Sequence, residues 1–415
     1  MLLLCRTIFA LVILHSTSKI HALKSEFFSK EWNYDWRQGL TIKPIKDNMF
    51  PYANCDKRQG SERTCTVILE RFLVNGTVAK DECQIHFNPQ VGGAESLRMQ
   101  VARGRNIVFS YSDAVNESKS VIVFRVVDMA TCMFKDLKIA YEPINQKNRT
   151  IISIPTLAYN DNSFDAFINS KGCKGGRCKV SFNSKAKEIR NSVAYFPANM
   201  STNRVEMFAL TQKHSPYNFF ALVSSFPFVG VKNSSKEFPE DLHNSDVDLQ
   251  LVYASASGKT EDLVNFRDEG KFVGIDASHK FLSVCFNTAG NTLKLHCLQY
   301  EGNKNEKMNV MLNLEDREKV VEIHNTAGGG FLLLTTHCDD VICHKRDHYY
   351  LKQVQMNGLV DKSFDIEGMM CDFERGEIYE KIFEMDDNLC VAKACYEYGD
   401  KVKLVHKCFK GKDVY

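Results

Sequence analysis

Short apolar runs bounded by polar turn residues recur along the chain and predict an all-β protein. The clearest run is 330–338, GFLLLTTHC, in which a glycine turn comes before the apolar residues and a polar end follows them. Five other segments repeat this plan at intervals of about 50–60 residues. We call these six segments the anchor runs, and the other five lie at 106–112, 163–170, 218–225, 280–287 and 388–395.

Additional strand-like runs flank the anchor runs. One comes before the anchor, as at 272–277 and 320–324, and one follows it, as at 292–300. All are rich in Val, Phe, Tyr, Ile and Thr, and turn residues such as Asn357 and Gly358 separate them. With a shorter fourth run in some repeats, the pattern predicts a six-bladed β-propeller of four-stranded blades.

The anchor run and the run that follows it predict different environments. Anchor runs are mostly apolar, as expected for strands that neighbouring blades cover on both faces. The following run alternates, with Leu293, Leu295 and Cys297 against Lys294 and His296. That alternation predicts an outer strand with one face in water.

The two ends of the chain suggest how the propeller is completed. The last repeat has no room for a fourth strand, and an isolated run at 64–74 is expected to supply it, because ring closure removes exposed sheet edges. We therefore expect an N-terminal extension at 23–63 and a single propeller domain at 64–415. The alternative is two smaller β domains divided near 232–246, which limited proteolysis would separate.

Residues 1–22 have an apolar centre at 8–13 and predict a secretory signal peptide that is cleaved near Ala22. No later run is long and apolar enough to predict a transmembrane helix. We therefore expect a secreted, extracellular protein without membrane insertion.

Charge limits the kinds of partner. The chain has 53 Lys and Arg residues, of which Arg6 and Lys19 fall in the predicted signal peptide, against 51 Asp and Glu residues. The remaining charges balance, which argues against nucleic acid or an anionic membrane as the main partner.

Cysteine usage fits an oxidising compartment. Of the 15 cysteines, Cys5 lies in the predicted signal peptide, so an even number remains. The pair Cys173/Cys178 would close the tip of a hairpin. We expect local pairs Cys55/Cys65, Cys173/Cys178, Cys285/Cys297, Cys338/Cys343 and Cys395/Cys408, with Cys83, Cys132, Cys371 and Cys390 pairing among themselves and Cys371 to Cys390 favoured.

Five Asn-x-Ser/Thr sequons predict N-glycosylation in the first part of the chain. They begin at Asn75, Asn116, Asn148, Asn199 and Asn233. The second half would then be free of glycan and open to a partner.

Two groups of residues are candidates for chemistry. The segment with His337, Asp339 and Asp340 has ligand types that suit zinc or calcium, although its cysteines, Cys338 and Cys343, favour a disulfide in a secreted protein. A second group, Asp276, His324 and Asp386, lies at the ends of runs that precede anchor runs, and these residues would converge on one cation in a metal-dependent propeller hydrolase. We assign no catalytic residue, no cofactor and no metal from the sequence.

The sequence favours binding over catalysis. It contains neither G-x-S-x-G nor H-E-x-x-H. In architecture the chain resembles the broad set of secreted six-bladed propellers, which includes calcium-dependent lactonases and the royal-jelly and yellow-type insect proteins, a resemblance of fold that transfers no site. We expect a secreted glycoprotein that binds an extracellular protein or a small ligand, of the kind found in haemolymph, saliva or venom. The alternatives are an extracellular metal-dependent hydrolase and tandem β domains with an adhesive or structural role.

Overall fold

The computed structural model of the chain describes the following residues: 20–22, 26–33, 41–42, 49–55, 65–72, 78–87, 98–101, 106–116, 119–128, 130–141, 144–146, 149–151, 156–160, 163–169, 177–189, 194–195, 204–209, 219–225, 248–254, 260–266, 270–278, 280–288, 291–301, 305–338, 346–367, 377–385, 388–397 and 401–414.

These residues form a succession of antiparallel sheets, numbered here in chain order. Two N-terminal strands come first, β1 (Ile20–Ala22) and β2 (Glu26–Asn33). Sheet 1 contains β3 (Thr41–Ile42), β4 (Met49–Cys55), β5 (Cys65–Phe72) and β6 (Val78–Phe87). Sheet 2 contains β7 (Arg98–Val101), β8 (Asn106–Asn116), β9 (Lys119–Asp128) and β10 (Phe134–Tyr141). A ribbon of β11 (Ile144–Gln146) and β12 (Arg149–Ile151) follows.

The middle of the chain continues the same plan. Sheet 3 contains β13 (Thr156–Asn160), β14 (Ser163–Asn169), β15 (Arg177–Asn183) and β16 (Ala194–Tyr195). Sheet 4 contains β17 (Arg204–Ala209), β18 (Phe219–Ser225), β19 (Asp248–Ala254) and β20 (Thr260–Phe266). Sheet 5 contains β21 (Gly270–Ala277), β22 (Phe281–Thr288), β23 (Asn291–Glu301) and β24 (Glu306–Asn313).

The last two sheets recruit the N-terminal strands. Sheet 6 contains β25 (Glu318–Asn325), β26 (Phe331–Cys338), β27 (Arg346–Val354) and β28 (Val360–Ile366), with β1 added in parallel beside β28. Sheet 7 contains β29 (Glu377–Met385), β30 (Asn388–Glu397) and β31 (Lys401–Lys410), and β2 pairs antiparallel with β31 as its fourth strand. A short helix, α1 (Gly411–Val414), ends the described chain.

The prediction of an all-β, propeller-type fold is confirmed. All six anchor runs fall on the second strand of a sheet, at β8, β14, β18, β22, β26 and β30. The first strands of sheets 2 to 7, which we call the inner strands, contact one another in chain order. Successive four-stranded sheets joined at their inner strands are the arrangement of a β-propeller.

The structure corrects the number of sheets and the identity of the added strand. The described residues form seven sheets of four or more strands where the sequence predicted six. The run at 64–74 corresponds to β5, which pairs with β4 and β6 in sheet 1, while β2 completes sheet 7. Residues 23–63, predicted as an extension, therefore supply strands to sheets 1 and 7. Sheet 1 escaped the repeat pattern because its second strand, MFPYANC, contains proline and no Val, Ile or Thr.

Burial on both faces explains why the anchor runs are so apolar. In β26, Leu332 and Leu334 pack with residues of sheet 7, whereas Phe331 and Leu333 pack with residues of sheet 5. All four side chains are almost completely buried. Since successive side chains of a strand point to opposite faces, an unbroken apolar run satisfies both neighbouring sheets.

The outer strand with one wet face is the fourth strand of the sheet, and the prediction that it is the third was wrong. In β23 the side chains from Leu295 to Tyr300 are buried apart from half-buried His296, and Leu293 is exposed. Alternation appears in β24, where Met308 and Leu312 are buried and the residues between them are mostly exposed. The fourth strand lies at the edge of the sheet, so its outward face meets water.

Three disulfides are described. Cys285 bonds Cys297 between register partners of β22 and β23, as predicted. Cys83 bonds Cys132 and so ties the outer strand of sheet 1 to the turn after β9 in sheet 2. The 49-residue separation of Cys83 and Cys132 predicts an entropic stabilisation of about 4 kcal/mol.

The third disulfide overturns two predicted pairs. Cys390 bonds Cys408, its register partner between β30 and β31, while Cys395 lies opposite Lys403. The predicted pairs Cys395/Cys408 and Cys371/Cys390 are therefore wrong, because strand register and not closeness in sequence selects the partner. Cys338 is also disulfide-bonded.

The structure also corrects the predicted setting of Cys178. The sequence predicted this residue in the tip of a hairpin, but it is the second residue of β15, where its register partners are Ile168 of β14 and Tyr195 of β16. Apolar and polar residues alternate through 178–183, CKVSFN, which explains why the strand includes this position. Neither register partner of Cys178 is a cysteine. Its pairing with Cys173, which lies outside the described residues, stays a prediction.

Several predicted features fall outside the described residues. Residues 232–246, the proposed domain division, and both Cys343 and Cys371 are among them. Cys55 and Cys65 are register partners of β4 and β5, which keeps their predicted pairing open. In the part of the chain that is described, no helix has the length and apolar character needed to cross a bilayer.

Gly330 directly precedes β26 and provides a test of the turn before that strand. Its φ is +76°, and an added Cβ would lie 2.3 Å from the carbonyl oxygen of Val354. We expect Gly330→Ala to lower the free energy of unfolding by about 2–4 kcal/mol, measured by denaturant titration. Gly328→Ala is the matched control, because a Cβ there meets nothing within 4 Å. Equal stability of the two variants would contradict this account of the turn.

The disulfide assignment predicts a specific linked peptide. Proteolytic mapping without reduction should yield Cys390 joined to Cys408, and replacing both by Ala should lower the free energy of unfolding by about 3 kcal/mol. A peptide that joins Cys395 to Cys408 would show that the register of sheet 7 is wrong.

Candidate functional site

Charged side chains from three neighbouring inner strands meet at one place. The strands are β21 of sheet 5, β25 of sheet 6 and β29 of sheet 7, with β25 in contact with both of the others. The side chains are those of Asp276, Glu322, His324, Lys381 and Glu384, and we call them the inner-edge cluster. A propeller places such residues close together because its sheets are joined at their inner strands.

His324 lies between two carboxylates. Its Nδ1 is 3.6 Å from Oδ2 of Asp276 on β21, and its Nε2 is 3.7 Å from Oε1 of Glu384 on β29. These distances are those of ion pairs and exceed the length of a hydrogen bond. The imidazole is 19% exposed and the Glu384 side chain 52% exposed. The imidazole of His324 in sheet 6 therefore interacts electrostatically with sheet 5 through Asp276 and with sheet 7 through Glu384.

Glu322 forms the second ion pair of the cluster. It precedes His324 by two residues on β25, and the period of a strand puts both on the same face. Lys381 of β29 donates to both carboxylate oxygens of Glu322 at 2.7 Å. This bidentate pair joins sheets 6 and 7 beside the contact between His324 and Glu384.

Asp276 is held in place by Asn325, the last residue of β25. The Asn325 backbone N–H donates to Oδ2 of Asp276 at 2.6 Å, and its side-chain amide donates to the Asp276 carbonyl at 2.9 Å. The same amide also donates to the carbonyl of Phe281 at 3.1 Å. Asp276 is consequently fixed relative to β25 whatever the charge of His324.

A buried network of hydrogen bonds holds the Asn325 side chain in place. The Ser283 hydroxyl donates to Oδ1 of Asn325, and the Gln299 amide donates to both Ser283 and Asn325. Gln299 also exchanges two hydrogen bonds with the backbone of Gly330, at 2.9 and 3.0 Å. Ser283 and Gln299 are fully buried, so these mutual bonds offset the cost of removing both groups from water.

The surroundings raise two pKa values. Burial disfavours the charged ring of His324, but Glu384, Asp276 and Glu322 oppose it and hold the pKa of His324 above its ordinary value. Burial raises the pKa of Glu322, and Lys381 offsets this in part. Both shifts favour the protonated form, so the cluster holds protons more tightly than isolated side chains would.

The structure brings together part of the group predicted from the sequence. Asp276 and His324 lie within ion-pair distance of each other, while Asp386 lies outside the described residues. Their convergence on one cation stays a prediction. Sequence reasoning missed Glu322, Lys381 and Glu384. The strand period from His324 could have identified Glu322, but the two residues of β29 needed the relative placement of sheets 6 and 7.

The other predicted group lies elsewhere on sheet 6. On β26, His337 is opposite Glu318, whereas His324 is opposite Leu332. The five-residue offset along β26 corresponds to roughly 17 Å, so His337 is not part of the inner-edge cluster. Asp339 and Asp340 lie outside the described residues. Among the side chains that are described, no group of three or more His, Cys, Asp or Glu has an arrangement that could hold a metal ion.

One predicted glycosylation position can be placed. Asn116 is the last residue of β8 and pairs with Lys119 of β9, while the rest of its sequon, 117–118, lies outside the described residues. The sequon asparagines Asn75, Asn148, Asn199 and Asn233 lie outside the described residues.

Comparison with known proteins assigns the chain to no family. No protein-family model matches it, and no curated protein matches it at a significant level. The β-propeller domain of the Trilobed protease from Pyrococcus furiosus is 10% identical over 90% of this chain and 94% of that chain, with a TM-score of 0.48. A mutant of Synechocystis apocarotenoid oxygenase is 8% identical over 83% and 93%, with a TM-score of 0.44. At this level of similarity we transfer no activity from either protein.

The raised pKa of His324 predicts how stability depends on pH. Because the pKa in the folded state lies above the ordinary value of 6.5, the charged ring contributes stability below that pH, and this contribution is lost as the pH rises through the folded-state pKa. In thermal unfolding, the difference in stability between wild type and His324→Gln should become smaller as the pH increases from mildly acidic to mildly alkaline. His337→Gln is the control. A difference that grows with pH would contradict the assignment.

Proposed function

We propose that the protein is an extracellular binding protein whose ligand or partner contacts the inner-edge cluster. The function does not require catalysis, a cofactor or a metal. The proposal combines the predicted signal peptide, the disulfides and the chemistry of the cluster.

The observation that best supports binding over catalysis is the mutual pairing of the charged groups. In the structure both ring nitrogens of His324 face carboxylates, and Glu322 is held by Lys381 through both oxygens. A general base or nucleophile acts through an atom directed at the substrate. The Ser283 hydroxyl, which belongs to the network around Asn325, is fully buried and donates to Asn325. Partly exposed ion pairs instead suit a surface that recognises a charged or hydrogen-bonding partner.

Disulfides support the extracellular location. One of them joins two different sheets and two join register partners within a sheet. Such bonds persist in oxidising compartments and are rare where thiols are kept reduced. The predicted cleavage near Ala22, which would remove β1 and leave β2 in sheet 7, and the predicted glycans agree with the same compartment.

We also propose that the seven sheets close into a ring, with β2 as the strand that joins the two ends. The pairing of β2 with β31 supports this arrangement, because it ties the N-terminal part of the chain to the last sheet. In a closed ring the inner strands would line a central channel, and the inner-edge cluster would lie at the wall of that channel.

A secretion and capture experiment tests the binding function. The full-length chain, expressed in eukaryotic cells, should appear in the medium without free thiols, and the immobilised protein should retain a specific component of extracellular fluid. We expect Glu384→Gln combined with Asp276→Asn to lower retention at least tenfold, because both carboxylates are lost from the cluster. His337→Gln, which changes a residue of sheet 6 outside the cluster, should bind as wild type does.

Two results would contradict the proposal. One is retention that the double variant leaves unchanged. The other is hydrolysis of ester or lactone substrates that depends on added divalent cations and disappears in His324→Gln, which would favour the hydrolase alternative.

A further inference from the structure

We propose that the outer edge of sheet 6 is a binding site for an extended peptide, which pairs in parallel with β28 and places a cationic side chain opposite Asp365. Cleavage of the predicted signal peptide would open this edge. The site lies on the fourth strand of sheet 6, whereas the inner-edge cluster lies on inner strands, so this inference goes beyond the binding function proposed above.

The structure shows that the edge of β28 accepts an added strand. The register of β1 with β28 pairs Ile20 with Ser363, His21 with Phe364 and Ala22 with Asp365. This is the one parallel pairing among the strands that are described, and sheet 6 is the one sheet there with a fifth strand. An edge strand presents backbone N–H and C=O groups to its side, and these groups are a template for a further strand.

Cleavage near Ala22 would remove β1 from this edge. Residues 20–22 are the last three of the predicted signal peptide, 1–22. β2 follows the cleavage position and has its own antiparallel pairing with β31. Sheet 7 would therefore retain four strands in the secreted protein, while the edge of sheet 6 would lose its partner between Ser363 and Asp365.

The edge that β1 covers is better protected from water than the outer edge of sheet 2. In β28 the side chains of Ser363, Phe364 and Ile366 are almost completely buried, and the last two pack in a core shared with sheet 7. In β10, the fourth strand of sheet 2, only the last residue is buried. Hydrogen bonds are stronger where water is partly excluded, so β28 is expected to hold an added strand more firmly than β10.

Asp365 gives this edge a preference for one kind of side chain. Its Oδ1 is buried and has no hydrogen-bond partner in the described part of the structure, which is unfavourable for a carboxylate oxygen. Register partners on neighbouring strands lie on the same face, so the residue opposite Asp365 is placed to donate to this oxygen. In β1 that residue is Ala22, whose methyl group has no donor. A lysine or arginine there supplies a cationic donor, and such hydrogen bonds to carboxylates are strong.

Peptide binding to the secreted full-length protein tests the preference at Asp365. The probes are a fluorescent peptide with the sequence of residues 18–23, SKIHAL, and the same peptide with Ala22→Lys, both measured by anisotropy. The lysine peptide should bind wild type at least tenfold more tightly than the alanine peptide, and Asp365→Asn should abolish this difference. Asp361→Asn is the matched control, because Asp361 is an exposed residue of β28 outside the register of β1.

Two results of this experiment would overturn the proposal. One is a secreted protein that binds neither peptide. The other is a preference for the lysine peptide that Asp365→Asn leaves unchanged. The alanine peptide should bind wild type and Asp365→Asn equally, which shows that the variant is folded.

A second form of the protein tests whether cleavage opens the edge. A foreign signal peptide placed directly before Ile20 leaves residues 20–22 on the secreted chain, where β1 competes for the edge. This form should bind the lysine peptide at least tenfold more weakly than the naturally processed chain, in which the peptide should slow hydrogen exchange of the amides of 360–366. Equal affinity of the two forms, unchanged exchange, or a naturally secreted chain that keeps residues 20–22 would refute the proposal. No component of extracellular fluid is used, so failure here is independent of the function proposed for the inner-edge cluster.

Discussion

Burial of the second strand on both faces is the constraint on which the rest of the structure depends. In β26 alternate side chains enter the cores on either side of sheet 6, and each fully buried Leu or Phe contributes about 1.5–3 kcal/mol. A polar side chain on such a strand is removed from water and needs hydrogen bonds inside the protein, as Ser283 of β22 has with Asn325. The ion pairs of the inner-edge cluster lie on the inner strands, where the side chains are partly exposed.

The inner-edge cluster lies beside these cores because the inner strands are where neighbouring sheets approach most closely. Charges at such a place must be paired, since partial burial removes part of their hydration. His324 and Glu322 on β25 each meet an opposite charge from β29, and Asp276 is fixed by Asn325. The fully buried bonds among Ser283, Gln299 and Gly330 make this arrangement rigid on the side of sheet 5. Glu384 on β29 is the more exposed of the two carboxylates beside His324.

Disulfides act at two levels in this fold. Cys285–Cys297 and Cys390–Cys408 each fasten the second strand of a sheet to the third, which fixes register inside the sheet. Cys83–Cys132 joins sheet 1 to sheet 2, so it restricts the movement of one sheet against another. The second strand of sheet 1 contains no Val, Ile or Thr, and a disulfide ties this sheet to its neighbour.

The sequence by itself determined the all-β class, the six second strands and the Cys285–Cys297 pair, because local patterning records them. Strand period and apolar content depend on whether a face is buried, and a residue such as Leu333 carries that information in its own identity. Tertiary structure alone decided the seventh sheet, the pairing of β2 with sheet 7 and the partner of Cys408. It also brought Lys381 and Glu384 beside His324, since contacts between strands more than 50 residues apart depend on how whole sheets are placed and leave no periodic signal in the chain.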